Sequence, residues 1–215
     1  MAAPPAPEPH AERVLGVIVP AFNEERTIEQ VVRRVLDQPC VQHVVVVDDC
    51  STDGTLAAAR RLASDARVSV VHHDVNRGKG AAVRTALDAI KAPLVIIQDA
   101  DLEYDPGDYG KLISPILRGR ADVVFGTRGF AGHSAYSYWF VVGNRLVTTA
   151  TNVLFNCYIQ DMETGFKVMR TSLMRRLGLR GDRFDIEPQI AGRILRLGYR
   201  IYEIPIEYAA RTREQ

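Results

Sequence analysis

The first half of the chain alternates short apolar runs with amphipathic segments. Short runs rich in β-branched residues predict strands at 14–20, 44–47, 68–72, 94–97 and 122–125. The fully apolar run at 44–47 is typical of a strand buried on both faces of a parallel sheet. Between them, apolar residues recur at helical spacing, as at Ile28, Val31 and Val35. This spacing predicts helices at 26–36, 51–63 (with Ser51 or Thr52 as the cap), 80–90 and 108–117. The alternation predicts an α/β fold, a Rossmann-like, mostly parallel open sheet flanked by helices.

The second half is less regular and much richer in aromatic residues. Its patterns predict helices at 136–158, 171–177 and 186–197, and a last strand at 200–206 that stops at Pro205. Of the 16 aromatic residues, only Phe22 precedes residue 101, so the two halves are expected to do different work. We predict a disordered tail at 1–13, which holds four prolines, and one domain at 14–215 with halves at 14–128 and 129–215.

Composition and charge narrow the function classes. The 215 residues include 27 basic and 26 acidic side chains, whereas a general nucleic-acid binder usually shows a strong basic excess. No run reaches the ~18 consecutive apolar residues of a membrane-spanning helix. Cys40, Cys50 and Cys157 are spaced too irregularly for a disulfide framework or a CxxC metal site, and they suit a reduced compartment. We expect a cytoplasmic protein without a membrane span, a signal peptide or a nucleic-acid partner.

Polar side chains follow all five strands of the first half. They lie at 20–24, 48–49, 74–79, 99–103 and 126–128. Open α/β sheets bind their ligands at the carboxyl ends of the strands. The sequence therefore predicts one site built from several loops at that edge.

Three acidic residues alternate after the fourth strand, at Asp99, Asp101 and Glu103. If this segment stays extended, side chains two residues apart share a face. Three carboxylates on one face repel one another unless a cation lies among them, and carboxylate oxygens suit Mg²⁺ or Mn²⁺. The alternative is a solvated acidic turn ahead of Pro106.

The second and third loops also carry candidate ligand groups. Asp48 and Asp49 either cap the next helix or accept hydrogen bonds from a base or a ribose. The segment 77–80, Arg-Gly-Lys-Gly, opens a helix and matches neither the P-loop nor the GxGxxG pattern. It is either a solvated basic loop or a contact from Lys79 to a diphosphate. His72 and His73 have no second ligand at metal spacing, which favours a structural role.

The helix predicted at 136–158 contains one charged residue, Arg145. Such a charge either reaches solvent along its stem or binds an anion. A cluster of aromatic residues opens the same helix, namely Tyr136, Tyr138, Trp139 and Phe140. Tyr and Trp favour membrane–water interfaces, although most such stripes are plain core.

As a set, these positions resemble glycosyltransferase family 2, the inverting GT-A enzymes. The segments that carry the resemblance are 19–24, 47–55, 76–80 and 98–103. Within the family, the chain looks most like the polyprenyl-phosphate branch, the dolichol-phosphate mannose synthase-like enzymes. That likeness lies in segments 126–128, 143–145, 161–167 and 184–188, and the match covers about residues 14–213.

The resemblance implies a reaction and a role for each matching residue. A hexose would pass from a nucleotide diphosphate sugar of the GDP-mannose or UDP-glucose type to a polyprenyl or dolichyl phosphate, with Mg²⁺ or Mn²⁺ on Asp99, Asp101 and Glu103. The half at 14–128 would bind the nucleotide sugar, through Pro20, Phe22, Asn23, Glu24, Asp48, Asp49, Lys79, Asp99, Ala100 and Asp101. The half at 129–215 would serve the acceptor. Arg128, at the end of the first half, and Arg145, in the second, would hold phosphate groups. Asp161 would act as a base or an orienting group, and Asn144 and Glu187 would line the acceptor side.

Two departures from the family pattern leave alternatives open. Cys50 stands where relatives have glycine, and the chain stops at 211–215 without the basic segment with which relatives commonly continue. One alternative is a transferase with a soluble acceptor, and another is a non-catalytic subunit that binds nucleotide sugar. A nucleotidyltransferase would need a glycine-rich basic loop after the first strand, which is absent here. Peripheral contact with the inner face of a membrane is expected from the lipid acceptor.

Overall fold

The computed structural model describes residues 13–128, 138–182 and 185–209. Its strands are β1 Leu15–Ala21, β2 Val41–Asp48, β3 Val68–His72, β4 Leu94–Ile97, β5 Val123–Arg128, β6 Lys167–Arg170 and β7 Ile201–Ile206. Its helices are α1 Ile28–Leu36, α2 Thr55–Leu62, α3 Lys79–Ala89, α4 Tyr109–Leu117, α5 Tyr138–Phe155, α6 Thr171–Arg176 and α7 Ile186–Arg196, with a short 3₁₀ turn at Pro106–Asp108.

All seven strands form one sheet in the order β3-β2-β1-β4-β6-β5-β7. Neighbouring strands are parallel except at β6, which runs antiparallel to β4 and to β5. Along β1, Val17 and Val19 belong to the core on one face of the sheet and Ile18 to the core on the other. Apolar residues on both faces are what a sheet covered by two layers of helices requires. The predicted Rossmann-like, mostly parallel open sheet is confirmed.

Three local features differ from the expectations. Strand β6 was not predicted, since its four residues follow a loop and pair antiparallel with distant strands. Strand β7 continues through Pro205 to Ile206, which is allowed because an edge strand has one side without ladder hydrogen bonds. Neither Ser51 nor Thr52 caps α2; instead, the Asp53 carboxylate accepts a 2.9 Å hydrogen bond from the Thr55 N–H.

Several predictions fall outside the described residues. These concern the tail at 1–12, the start of the predicted helix at 136–137, and the segment 210–215. Within α5, the side chains of Tyr138 and Phe140 also lie outside the description, so Trp139 alone represents the aromatic cluster. No helix in the described part of the chain combines the length and the apolar character needed to cross a membrane.

The register of the parallel strands sets where the site forms. Ala21 at the end of β1 pairs with Asp48 at the end of β2, and Asp48 pairs with His72 at the end of β3. On the other side of β1, Ile18 pairs with Ile97 at the end of β4. The loops that follow these four strands therefore leave the sheet side by side.

Candidate active site

A cavity of about 700 Å³ opens where β1, β2 and β4 end and α3 begins. Eight of the ten residues predicted to bind a nucleotide sugar line it, namely Pro20, Phe22, Glu24, Asp49, Lys79, Asp99, Ala100 and Asp101. Four further lining residues, Ala21, Asn76, Gly78 and Ala82, were not predicted to bind the nucleotide sugar. These four are small or come from the loop before α3, and none has a charge that would have singled it out.

The remaining two predicted residues support the loops around the cavity and do not line it. Asn23 lies in the left-handed region with φ 56°, and its side-chain oxygen accepts a 2.9 Å hydrogen bond from the Thr52 N–H. Asp48 is fully buried and accepts hydrogen bonds from His72 at 2.8 Å and from the Ser51 N–H at 3.3 Å. Asn23 and Asp48 therefore hold the loops after β1 and β2 in place.

The carboxylate of Asp49 fixes the loop that leads into α3. Its Oδ1 accepts hydrogen bonds from the Arg77 N–H at 2.9 Å and from His73 at 2.7 Å, and its Oδ2 accepts one from the Gly78 N–H at 2.7 Å. Gly78 has φ 86°, a conformation that side chains rarely adopt. Asp49 thus determines how the N-terminal end of α3 faces the cavity.

Lys79 connects the cavity with the second half of the chain. Its Nζ lies 2.7 Å from Asp99 Oδ1 and 2.6 Å from Glu187 Oε1, in the first turn of α7. Burial opposes the charge of this ammonium group, but the adjacent carboxylates of Asp99 and Glu187 outweigh burial and raise the pKa of Lys79. Glu187, predicted to face the acceptor, therefore contacts a residue that lines the first cavity.

The acidic segment at 99–103 does not stay extended, so the premise that its three carboxylates share a face is wrong. Leu102 has φ 65° and the chain turns there. Asp99 and Asp101 line the cavity, whereas Glu103 accepts a 2.5 Å hydrogen bond from the Tyr208 hydroxyl. Across the described residues, no three His, Cys, Asp or Glu side chains are grouped closely enough to hold a metal ion.

The two carboxylates that face the cavity nevertheless suit a divalent cation. Burial, together with the negative charges of Asp99 and Glu103, raises the pKa of Asp101 to about 7. A cation would relieve this repulsion, and Mg²⁺ is commonly bound by one or two carboxylates together with substrate phosphates. Asp99 and Asp101 therefore fit such an ion without the help of Glu103.

A second cavity of about 510 Å³ lies between the end of β5, α5 and the segment 158–161. Its walls include the predicted residues Arg128, Arg145 and Asp161, together with Thr149 and Tyr158. Arg145 is exposed and forms no ion pair with a carboxylate in the described part of the chain. The second cavity thus offers a cation that could meet an anionic ligand.

Arg128 has a different environment from Arg145. Its Nε lies 2.7 Å from Asp161 Oδ2 and its Nη2 lies 2.8 Å from Asp161 Oδ1, with both side chains buried. Asn144, also predicted on the acceptor side, donates a 3.1 Å hydrogen bond to Asp161 Oδ1. Because both oxygens of Asp161 already accept hydrogen bonds, Asp161 is better placed to orient groups than to take up a proton.

The segment 161–165 links the two cavities. It starts at Asp161 in the second cavity and reaches Gly165, where an added Cβ would lie 3.0 Å from Asp99 Oδ2. The Gly165 N–H donates a 2.8 Å hydrogen bond to the Tyr104 hydroxyl. Since Gly165 packs directly on Asp99, a side chain at this position would displace a wall of the first cavity.

Lys167 is a buried charge near the site to which the sequence analysis gave no role. It is almost fully buried, its Nζ donates to the Thr164 carbonyl, and it lies 5.0 Å from the centre of the Phe125 ring. Burial lowers the pKa of Lys167 to about 8, against the opposing charges of Glu187 and Asp161. The signal in the sequence was its place at the end of the segment 161–167.

A model of the family described as Glycosyl transferase family 2 matches residues 16–178. The chain belongs to this family. The family named from the motifs is therefore confirmed, and the matched range contains both cavities' arginine, lysine and aspartate residues.

Several relatives of this glycosyltransferase family 2 protein match most of its length. Glycosyltransferase AglJ of Haloferax volcanii is 31% identical over 91% of this chain and 63% of its own length. Polyprenol monophosphomannose synthase of Mycolicibacterium smegmatis is 30% identical over 91% of this chain and 77% of its own length. Dolichol-phosphate mannosyltransferase of Pyrococcus furiosus is 26% identical, and the match spans 93% of this chain and 57% of the relative. The last two confirm the similarity to the polyprenyl-phosphate branch.

Solved structures of another glycosyltransferase share the fold. Glucosyl-3-phosphoglycerate synthase from Mycobacterium tuberculosis in complex with uridine diphosphate matches with a TM-score of 0.72 at 25% identity, over 94% of this chain and 73% of that chain. Its complex with Mn²⁺, UDP-glucose and phosphoglyceric acid gives the same TM-score and identity, over 94% and 72%. A protein of this fold therefore binds a divalent metal ion and a nucleotide sugar together.

Proposed function

We propose that this protein transfers a hexose from a nucleotide diphosphate sugar to a polyprenyl or dolichyl phosphate, with inversion at the anomeric carbon. The observation that carries the proposal is the pair of cavities joined by the segment 161–165. One cavity combines carboxylates with a lysine at a helix N-terminus, and the other presents an arginine without a carboxylate partner among the described residues.

The first cavity suits the donor. Its volume of about 700 Å³ lies within the usual range for ligand sites. The N-terminal end of α3 and Lys79 favour a diphosphate, and the exposed ring of Phe22 can pack against a base. Asp99 and Asp101 would hold Mg²⁺ or Mn²⁺, which supplies charge neutralisation for the leaving diphosphate when bound. The Mn²⁺ and UDP-glucose in glucosyl-3-phosphoglycerate synthase support this assignment.

The second cavity suits the phosphate of the acceptor. Arg145 would pair with the phosphate, and the Thr149 hydroxyl lies in the same wall. The second pKa of a phosphate monoester is ~6, so the nucleophile is already ionised at neutral pH and needs no strong base. This fits Asp161, whose oxygens are engaged by Arg128. A phosphate oxygen bonds to the anomeric carbon while the bond to the diphosphate breaks, and the electron pair leaves with the nucleoside diphosphate.

Helix α5 supports peripheral contact with a membrane. Its buried side is polar and consists of Asn144, Thr148 and Thr151. Five large apolar side chains of the helix are exposed, namely Trp139, Leu146, Val147, Val153 and Leu154, while the exposed Arg145 and Thr149 line the second cavity. This is the reverse of a typical surface helix, and large exposed apolar patches mark interaction sites. We call these five side chains the apolar face of α5.

The dimensions of this face favour a lipid surface over a second copy of the chain. A helix of 18 residues is ~27 Å long, so one side of it covers far less than the ~800 Å² that each partner buries in a standard protein interface. Trp139 lies at one end and the exposed Tyr158 just beyond the other, as interfacial anchors would. The proposed location is the cytoplasmic face of a membrane.

A donor and acceptor panel tests the proposal. The melting temperature of the protein is first measured with UDP- and GDP-sugars in the presence of Mn²⁺ or Mg²⁺. A ligand that binds the native state raises its stability, so the preferred donor should raise the melting temperature most. Transfer from the best donor is then measured to a short polyprenyl phosphate and to 3-phosphoglycerate. Transfer to the lipid phosphate supports the proposal. Absence of donor binding refutes it, and binding without transfer to either acceptor indicates a non-catalytic subunit.

A soluble phosphate acceptor is the second candidate. It is favoured by the similarity to glucosyl-3-phosphoglycerate synthase, whose structure contains phosphoglyceric acid. Arg145 could hold the phosphate of either acceptor, so the cavity alone does not separate the two. Transfer to 3-phosphoglycerate with none to polyprenyl phosphate would move the assignment to this class.

A further inference from the structure

His73 lies behind the donor cavity, between a carboxylate and a hydroxyl group. It follows the end of β3 and is buried. Its Nδ1 lies 2.7 Å from Asp49 Oδ1, and its Nε2 lies 3.0 Å from Thr85 Oγ1 in α3. An ionised carboxylate only accepts hydrogen bonds, so Nδ1 carries the ring proton and donates a hydrogen bond to Asp49. The Thr85 hydroxyl then donates the second hydrogen bond, to Nε2. Both partners together fix the orientation of the ring.

The Asp49 carboxylate transmits that orientation to the cavity. Besides His73, it accepts hydrogen bonds from the N–H groups of Arg77 and Gly78. These two residues immediately precede Lys79 and the first turn of α3. A carboxylate that swung away would release both N–H groups and let the loop before Lys79 relax.

The neighbouring histidine provides an internal comparison. His72 forms a similar contact, 2.8 Å from Asp48 Oδ2. Asp48, however, does not line the cavity, whereas Asp49 does. The two adjacent pairs share residue types and strand ends, but only one of them contacts the loop before Lys79.

We propose that His73 is a positioning residue for donor binding: the Thr85–His73–Asp49 chain of hydrogen bonds holds the Asp49 carboxylate on the loop 76–79. The donor cavity is then formed before the nucleotide sugar arrives, and binding need not order it. Pre-organisation of this kind raises affinity by lowering the cost of ordering the site. The inference rests on the proposed function in one respect, namely that the first cavity takes a nucleotide.

The test compares three variants of the protein. His73→Leu removes donation to Asp49, and His73→Asn keeps an N–H donor close to the position of imidazole Nδ1. His43→Leu changes another buried histidine, near the start of β2, whose Nε2 lies 3.0 Å from Ser69 Oγ and which does not line the cavity, and it serves as the matched control. UDP and GDP, each with Mn²⁺, are the probes, and their affinities are measured by calorimetry together with the donor KM and kcat.

His73→Leu loses a hydrogen bond to the charged Asp49 carboxylate, and such bonds are stronger than those between neutral groups. We therefore expect its affinity for the nucleotide to fall by about tenfold or more. We expect His73→Asn to recover most of this affinity and His43→Leu to stay within about twofold of the parent. The donor KM should rise in His73→Leu while kcat at saturating donor changes little. Unchanged nucleotide affinity in a folded His73→Leu, or a loss that His73→Asn does not recover, would overturn the proposal.

A second readout does not require any ligand. Amide hydrogen exchange at Arg77 and Gly78 should accelerate in His73→Leu and in Thr85→Val. In both variants the Asp49 carboxylate that accepts from these two N–H groups is no longer held in place. If His73→Leu does not fold, Thr85→Val carries the test. Parent protein that binds neither UDP nor GDP refutes the donor assignment, whereas unchanged exchange at these two amides refutes the role of His73.

Discussion

Arg128 and Asp161 form a bidentate ion pair that is buried beneath the second cavity, with N–O distances of 2.7 and 2.8 Å. Removing one partner leaves the other as an uncompensated buried charge, at a cost of ~3–5 kcal/mol. We therefore expect Arg128→Met and Asp161→Leu each to lose stability of about that size in urea unfolding. The double variant should recover most of the loss. Single variants as stable as the parent would contradict this prediction.

Asp101 and Glu103 should differ in their effect on metal-dependent turnover. Asp101 lines the donor cavity, whereas Glu103 is hydrogen-bonded to Tyr208. We expect Asp101→Ala to abolish metal-dependent transfer, a loss on the order of 100-fold or more, while Glu103→Gln retains most of it. Turnover is measured across a Mn²⁺ and Mg²⁺ titration. Near-normal turnover in Asp101→Ala would remove the metal assignment.

Arg145 should affect the acceptor and not the donor. It lines the second cavity and does not line the first. Since charge-assisted hydrogen bonds to phosphate would be lost, Arg145→Gln should raise the acceptor KM by about tenfold or more. Nucleotide affinity should stay as in the parent, and Arg60→Gln, which changes an exposed arginine of α2, is the control. Equal loss of both affinities would argue against two separate sites.

Lys167 predicts how stability changes in alkaline solution. Burial lowers the pKa of Lys167 to about 8, whereas the pKa of a lysine in the unfolded chain is ~10.4. Between these two pKa values the unfolded state binds more protons than the folded state, so the free energy of unfolding rises with pH. Below pH ~8 the buried ammonium group is charged, and the full cost of burying that charge lowers stability. The difference in unfolding free energy between Lys167→Met and the parent should shift in the parent's favour from pH 8 to 10. A constant difference would show that Lys167 keeps its ordinary pKa.

The apolar face of α5 should bind lipid vesicles. Val153→Gln and Leu154→Gln, combined, change two exposed side chains and should leave the melting temperature nearly unchanged, because neither contributes to the core. Flotation with vesicles of anionic phospholipid should recover less of this double variant than of the parent. Leu117→Gln, which alters an exposed leucine at the end of α4, is the matched control. Equal recovery of all three proteins would refute the membrane contact.

Sequence patterns predicted the parts of the fold that depend on local periodicity. The bounds of β3 and β4 match the predicted ones, since each is a short apolar run between polar loops. Strand β6 escaped because its pairing with β4 and β5 depends on residues far away along the chain. The prediction that the three carboxylates at 99–103 share a face depended on an extended backbone. The chain turns at Leu102, and a positive φ at that residue cannot be read from the spacing of acidic residues.

The part of the site that depends on residue type could be predicted from the sequence. Charged residues after buried strands identified most of the donor cavity. Partnerships across the sheet were not visible: the sequence showed neither that Asp161 would hold Arg128 nor that His73 would hold Asp49. Cys50 does adopt the left-handed conformation that glycine favours, with φ 63°, so the loop forms despite the substitution.

The antiparallel insertion of β6 also affects how the protein folds during synthesis. Leu94 in β4 pairs with Arg170 in β6, and Val123 in β5 pairs with Ile201 in β7. Until the ribosome has produced these late segments, β4 has an open edge and β5 has no partner on either side. Contacts this distant in sequence raise the contact order and slow folding. The nascent chain therefore exposes an unfinished sheet edge until its last strands emerge, and this interval is when chaperone protection matters most.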